Sequence, residues 1–359
     1  MSEKLRLGIV GCGVIGHYHA AAVARNRHAE LAAVADVDAS KARHLAAQYD
    51  VPSVYRSGAT LCGDRAIDAV VLALPTGLRS REAKRALRGG KHVLLEKPPA
   101  MNVGQLRSYL KLRGDAVVGC CSSRFTFTDG AEEARARIAC GDLGRLRILR
   151  CRGIFGVNAV KPGAKPPAWR ARHSLNGGGF LVNWGIYDLD YMMHITGWSL
   201  EPETVFAQTW PIARELAKGR VHPDSDAENH VFLLVRCKCG AVITLERGEA
   251  VSQESDTAWQ VTGDRGSLRL QMTTRPGPPT VVLDTADGEA GLRTEVILQD
   301  PGEVDVNAMP VHDFVSAILH ERQPRTDLAK ALILQKILDA TYKSARTGKA
   351  VRVPARDGA

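Results

Sequence analysis

The chain lacks any stretch of about 18 apolar residues and any apolar segment of signal-peptide type near its start. Met1, Glu3, Lys4 and Arg6 lead straight into a short apolar strand, so the expectation is a cytoplasmic protein that does not span a membrane. No CxxC pair occurs among the eight cysteines, Cys12, Cys62, Cys120, Cys121, Cys140, Cys151, Cys237 and Cys239. Most of them fall within predicted strands or helices, which points to reduced thiols rather than disulfides. Cys237 and Cys239 would share one face of a strand, yet no nearby Cys or His at ligand spacing completes a tetrahedral set, and no metal is expected. A basic tract of five or more residues is missing, as is any nucleic-acid motif, although 48 Lys and Arg against 39 Asp and Glu give a formal charge of +9. Nucleic acid is therefore not an expected partner, and the spread of positive charge suits an anionic dinucleotide or substrate. Internal repeats and low-complexity tracts are absent too.

What is present is 359 residues with 45% hydrophobic content, enough for two domains with real cores. From the start to about residue 122, short apolar runs alternate with helical periods. Strands are expected at Leu5 to Val10, Leu31 to Asp36, Ala69 to Ala73, His92 to Glu96 and Ala116 to Cys121. Helices are expected from Ile15, Ser40, Ser80 and Val103. Nearly unbroken apolar strands in this alternation predict an α/β domain, a doubly wound parallel sheet of Rossmann type over residues 1–122. After Ser123 the pattern changes to one helix, Ala131 to Cys140, and strands such as Arg147 to Arg152, Val231 to Cys237, Ala241 to Glu246 and Ser267 to Gln271. Several alternate in polarity, which predicts an α+β domain over 123–359 on a mostly antiparallel sheet. Lys161 to Pro167 and Arg275 to Pro279 read as Pro-rich loops, and Lys218 to Glu228 as a polar irregular segment. Helical periods at Val311 to Leu319 and Leu328 to Ser344 are placed to pack back on the first domain.

Gly11-Cys12-Gly13-Val14-Ile15-Gly16 follows the first strand directly and opens a helix. Its glycines permit a tight turn and the close approach of a pyrophosphate to the helix N-terminus. Asp36 stands 20 residues after Gly16, where a carboxylate accepts hydrogen bonds from ribose hydroxyls and repels a 2′-phosphate, favouring NAD over NADP. Glu96-Lys97-Pro98 closes an apolar strand at the edge where open α/β sheets bind ligands, so an ammonium is expected beside the cofactor. Downstream of Gly177-Gly178-Gly179, a helix running from Asn183 would place Asn183, Tyr187 and Asp190 on one face, bringing together an amide, a phenol and a carboxylate.

These residues resemble the glucose-fructose oxidoreductase, inositol dehydrogenase and rhizopine-catabolism (Gfo/Idh/MocA) family over nearly the whole chain. Further matching elements are Arg124-Phe125, Trp169-Arg170, Gly141-Asp142-Leu143-Gly144 and Ser344-Ala345-Arg346-Thr347-Gly348. The resemblance implies a Rossmann domain joined to a large, mostly antiparallel sheet, a bound nicotinamide cofactor, and oxidation or reduction of a sugar, cyclitol or related polyol. It implies that Lys97 contacts the reacting hydroxyl, that Pro75, Thr76 and Glu96 join Gly11, Gly13, Val14, Ile15, Gly16 and Asp36 around the cofactor, and that the protein forms a homodimer or homotetramer. Two departures stand out. Many members carry Asp and His where this chain has Asn183 and Tyr187, although glucose-fructose oxidoreductase and the dihydrodiol dehydrogenases use Tyr. The usual His after the strand Ala69 to Ala73 is replaced by Arg79, whose role is left unassigned.

The leading expectation is that a secondary alcohol loses hydride to NAD while Tyr187, helped by the Lys97 ammonium, accepts the hydroxyl proton. Asn183 and Asp190 would orient substrate hydroxyls, and Arg170, Trp169 or Arg124 would contact an acidic group or ring oxygen. Two alternatives stay open: an enzyme that keeps NAD bound and uses transient oxidation for elimination or epimerisation, and a non-catalytic dinucleotide sensor.

Overall fold

The computed structural model describes residues 4–273, 280–299 and 302–355. They fall into two compact units: the chain up to Arg124 together with Asp305–Leu332, and Phe125–Val304 together with the residues from Ile333 on. The loop expected at Arg275 to Pro279 lies outside the described residues, which resume at Thr280.

The first unit is built on six parallel strands: β1 (Leu5–Val10), β2 (Ala29–Ala35), β3 (Ser53–Tyr55), β4 (Ala69–Leu72), β5 (His92–Leu95) and β6 (Val118–Cys120). Their order is β3-β2-β1-β4-β5-β6, so the winding reverses between β1 and β4, the point at which such sheets open a ligand crevice. Strand side chains alternate between two cores. Leu7, Ile9, Val71 and Leu94 pack on one face with the helices α1 (Val14–Ala24) and α2 (Ala39–Gln48). Val10, Val70, Leu72, Val93 and Leu95 pack on the other with α3 (Gly58–Gly63), α4 (Thr76–Arg88) and α5 (Val103–Leu112). Because both faces are covered, successive residues of β4 are all buried, which is why the strand reads as an unbroken apolar run.

The chain returns to complete this unit. Ala308, Val311, Phe314 and Val315, on and just before the helix Met309–Leu319, enter the first core. Leu328, Ala331 and Leu332 of the final helix enter the second. A strand-by-strand reading ends the first domain near residue 122, with the late helical periods expected to pack back on it; residues Asp305–Leu332 fall in the first unit. Two smaller differences have local causes. α4 begins at Thr76 rather than Ser80, since Pro75, with φ of −51°, presets the turn that Gly77 disguises in the sequence. β3 spans only three residues, too few to show a period.

The second unit carries a nine-stranded sheet in the order β14-β13-β12-β11-β7-β10-β9-β8-β15. Its strands are β7 (Leu146–Gly156), β8 (Pro202–Trp210), β9 (His230–Cys237), β10 (Val242–Val251), β11 (Asp256–Gly263), β12 (Gly266–Leu270), β13 (Thr280–Asp287), β14 (Gly291–Gln299) and β15 (Val351–Arg352). Only β7 and β10 pair in parallel; the other neighbours are antiparallel. β9 alternates buried and solvent-facing residues as its sequence predicts. Cys237 ends β9 and is buried, whereas Cys239 lies exposed in the following turn, so the two sulfurs do not share a strand face.

One buried charge pair organises this unit. Arg247, on β10, grips Asp188 through Nε at 2.5 Å and through its second terminal nitrogen at 2.7 Å, and Trp259 Nε1 donates to the same carboxylate at 2.7 Å. Both charged side chains are almost fully inaccessible. The guanidinium also lies 5.5 Å from the ring centroids of Trp184 and Trp259. Removing one partner of such a pair leaves an uncompensated charge in the interior. Asp188→Ala is therefore expected to cost about 3–5 kcal/mol, read from the urea unfolding midpoint.

Candidate active site

At the C-terminal end of β1 the glycine loop packs as its spacing requires. A Cβ on Gly11, whose φ is +102°, would meet the Ala73 carbonyl oxygen at 2.5 Å, and one on Gly16 would collide with the carbonyl of Gly11. Around Gly13 there is open space. No side chain caps α1, which leaves the first N–H groups of the helix available to an anion. Asp36, just past β2, accepts from the Cys12 amide at 2.8 Å and from the Asp38 amide at 2.8 Å. These bonds fix the carboxylate at the strand end, and each oxygen keeps a second lone pair for a hydroxyl. Val14 and Val37, flanking these groups, are apolar yet 79% and 92% exposed. The chain thus offers what a dinucleotide of NAD type needs: an uncapped helix start, room for a pyrophosphate, a fixed carboxylate for the ribose, and apolar surface to cover. Burial, reinforced by Asp36, pushes the Cys12 thiol up to about 12, so it stays protonated beside the loop.

Glu96-Lys97-Pro98 follows β5 on the same edge of the sheet. The Glu96 side chain is buried. Its Oε1 accepts from His19 Nε2 at 3.0 Å and from Arg124 at 3.2 Å, while Oε2 accepts from the Lys97 amide at 3.0 Å. Burial alone would raise its pKa, but the His19 hydrogen bond and the Arg124 and Lys97 charges prevail and hold it well below the usual carboxylate range. Arg79 lies beneath this corner, itself buried, and donates to the backbone carbonyls of Glu96 and Pro98 and to that of Leu74 at 2.6 Å. This guanidinium ties the ends of β4 and β5 together. Arg124, expected to contact substrate, has one guanidinium nitrogen on Glu96. Pro75 caps α4 and Thr76 is buried in its first turn.

In the second unit the helical segment carrying Asn183 is not uniformly α-helical. Leu181–Gly185 form a π turn and Ile186–Ile195 continue as an α-helix. Asn183 lines a cavity of about 280 Å³ together with Arg170, Arg220, Glu228, Asn229 and Glu249. Tyr187 is buried, edge-on to Phe125 at 5.1 Å and to Trp184 at 5.7 Å between ring centroids. Asp190 has no exposed surface, whereas Asn183 borders the cavity. Trp169 is 39% exposed beside Arg170. Arg170 pairs with Glu249 at 3.1 Å.

Glu228, which the sequence gives no reason to single out, explains the glycine triplet. Its Oε2 accepts from the Gly179 amide and its Oε1 from the Leu181 amide, both at 3.0 Å, and Tyr342 donates its hydroxyl to Oε1 at 2.9 Å. A Cβ on Gly178 would strike the Tyr342 hydroxyl, and one on Gly179 the Glu228 backbone. Burial pushes the Glu228 carboxyl upward against these donors.

The depressed pKa of Glu96 has a consequence for stability. Its contribution is fully present above the ordinary glutamate value of about 4.3 and is lost as the pH falls below it. Below about pH 4 the unfolding free energy of the wild type should fall more steeply than that of Glu96→Gln, as measured by urea titrations across the acid range.

Comparison with known proteins agrees with this arrangement. Residues 5–117 match the model of an oxidoreductase family with an NAD-binding Rossmann fold, and residues 131–269 match the GFO/IDH/MocA C-terminal domain. D-glucoside 3-dehydrogenase of Escherichia coli is 24% identical over 98% of both chains. 1,5-Anhydro-D-fructose reductase of Ensifer adhaerens is 26% identical over 97% of this chain and 98% of its own. Among solved structures, levoglucosan dehydrogenase in complex with NADH superposes with a TM-score of 0.82 at 22% identity, covering 98% of this chain and all of that one. The same edge of one parallel sheet thus carries a glycine loop, a ribose-type carboxylate and the Glu-Lys-Pro corner, and the chain belongs to the Gfo/Idh/MocA family of NAD-binding oxidoreductases.

Proposed function

We propose that this protein transfers a hydride between a secondary hydroxyl of a sugar, cyclitol or glycoside and a nicotinamide. The observation that carries the reading is the placement of Gly11–Gly16, Asp36 and Lys97 at the carboxyl ends of β1, β2 and β5, on one edge of one sheet. Bound NAD would supply the hydride acceptor.

Everything else falls to the chain. The N-terminus of α1 and the Asp36 carboxylate hold the dinucleotide, and the carboxylate disfavours a 2′-phosphate. Lys97 donates to the reacting hydroxyl. Tyr187 accepts its proton, and because a phenol ordinarily titrates near 10, it requires a cation in the reacting complex to work at neutral pH; the Lys97 ammonium is assigned that part. The aromatic walls of Phe125 and Trp184 keep water from the phenol. Asn183 and the Arg170–Glu249 pair supply donors and acceptors of the kind that several neighbouring hydroxyls require.

The test is the rise of reduced-nicotinamide absorbance when the protein and NAD meet a panel of sugars, cyclitols, sugar acids and glycosides. Lys97→Ala should abolish the rise while leaving NAD binding measurable by fluorescence. Tyr187→Phe should lower kcat by about 10²–10⁴-fold, and unchanged turnover in that variant removes the phenol from the scheme. Asp36→Ser is expected to raise the KM for NAD and to lower that for NADP, narrowing the preference between the two.

A further inference from the structure

Three buried groups that the proposed reaction does not use converge in the first unit: His19 from α1, Glu96 after β5 and Cys121 after β6, with their ligand atoms within 4.8 Å of one another. The spacing is that of a metal site, but the donor set does not suit one. The Arg124 guanidinium already sits on the Glu96 oxygen that faces His19. Burial pushes the Cys121 thiol well above its usual range, so it keeps its proton.

The arrangement is instead a clamp on a carboxylate. An ionised carboxylate only accepts, so His19 must donate through Nε2. With Arg124 on the same oxygen, Oε1 is held from two directions, and Oε2 is left to the backbone amide of Lys97. Arg79 fixes the same corner from the other side through the Glu96 and Pro98 carbonyls. We propose that His19 is a positioning residue for Lys97, acting through Glu96: it locks the carboxylate onto the main chain from which the catalytic ammonium projects.

The inference rests on the part assigned to Lys97 above. The charged and titratable groups around Glu96 are His19 from α1, Arg79 from α4, Lys97 beside it, and Cys121 and Arg124 after β6. The Lys97 charge already acts on Glu96; when His19 is lost, Arg124 alone holds Oε1 and the carboxylate can move nearer that ammonium. A carboxylate drawn closer to a lysine raises its pKa, so the alkaline limb of the pH profile moves to higher pH.

The experiment compares full-length His19→Leu, His19→Gln, His19→Asn and Lys97→Ala with the wild type, using NAD and a sugar turned over by the wild type. It reads kcat, KM, the pH dependence of kcat/KM and the thermal midpoint. Gln can place an amide N–H near the position of Nε2, whereas Asn is polar but too short to reach Glu96. His19→Leu and His19→Asn should lower kcat by about 10–100-fold with KM for NAD near that of the wild type and the alkaline limb raised. His19→Gln should recover most of the rate and the original limb. Wild-type kcat and pH profile in a folded His19→Asn overturn the proposal, and so does a His19→Gln no faster than His19→Asn. Should His19→Leu fail to fold, the Asn and Gln pair still decides. A fully active Lys97→Ala refutes the underlying reading of Lys97 itself, an outcome distinct from either result at His19.

Discussion

An ionised carboxylate at the end of an apolar strand must be surrounded by donors, because no water reaches it to supply them. Glu96 makes that demand at the carboxyl end of β5, and three parts of the chain answer it: α1 through His19, the segment after β6 through Arg124, and the backbone of Lys97. The glycine loop opens the helix that bears His19, and Lys97 is the group assigned to the reacting hydroxyl. The same few bonds therefore relate the start of the cofactor cradle to the ammonium. Arg79 extends the constraint to β4 by gathering the carbonyls of Leu74, Glu96 and Pro98 around one guanidinium. Burial works against the charge of that arginine, and Glu96 is the largest of the influences that sustain it.

The second unit solves a comparable problem twice. Asp188 and Arg247 bury a full ion pair between a helix and the sheet, with Trp259 satisfying a further carboxylate lone pair. The pair fixes the helix next to Tyr187, while the guanidinium braces Trp184, one wall of the phenol's surroundings. Glu228 grips the amides at the start of the π turn, so the segment that presents Asn183 to the cavity is anchored at its first residues. In both places the buried carboxylate has a donor on each oxygen, which is the condition under which burying it yields a rigid site rather than a weak one.

Much of this could be read along the chain. The alternation of apolar runs and helical periods marked the doubly wound sheet, since strands covered on both faces are apolar throughout. The glycine loop, Asp36 and Glu96-Lys97-Pro98 stood out because each lies within a few residues of a strand end, where local spacing and tertiary position coincide. Other residues carried no such mark. His19 and Arg124 meet Glu96 from 77 and 28 residues away. Glu228 meets the glycine triplet from 49. The π turn at Leu181–Gly185 was likewise not legible, since the spacing of Asn183, Tyr187 and Asp190 suits a regular helix.

Sequence by itself determined the class of the first domain, the kind of cofactor it suits and the strand edge where chemistry is placed, because those follow from short-range periodicity and from backbone turns that only certain residues allow. Tertiary structure decided how the charged side chains are partnered and how far each is buried. Arg124 reaches the Glu96 carboxylate, and Asp190 has no exposed surface. The reason is that the cost of burying charge depends on partners brought together by folding, and no local pattern encodes them.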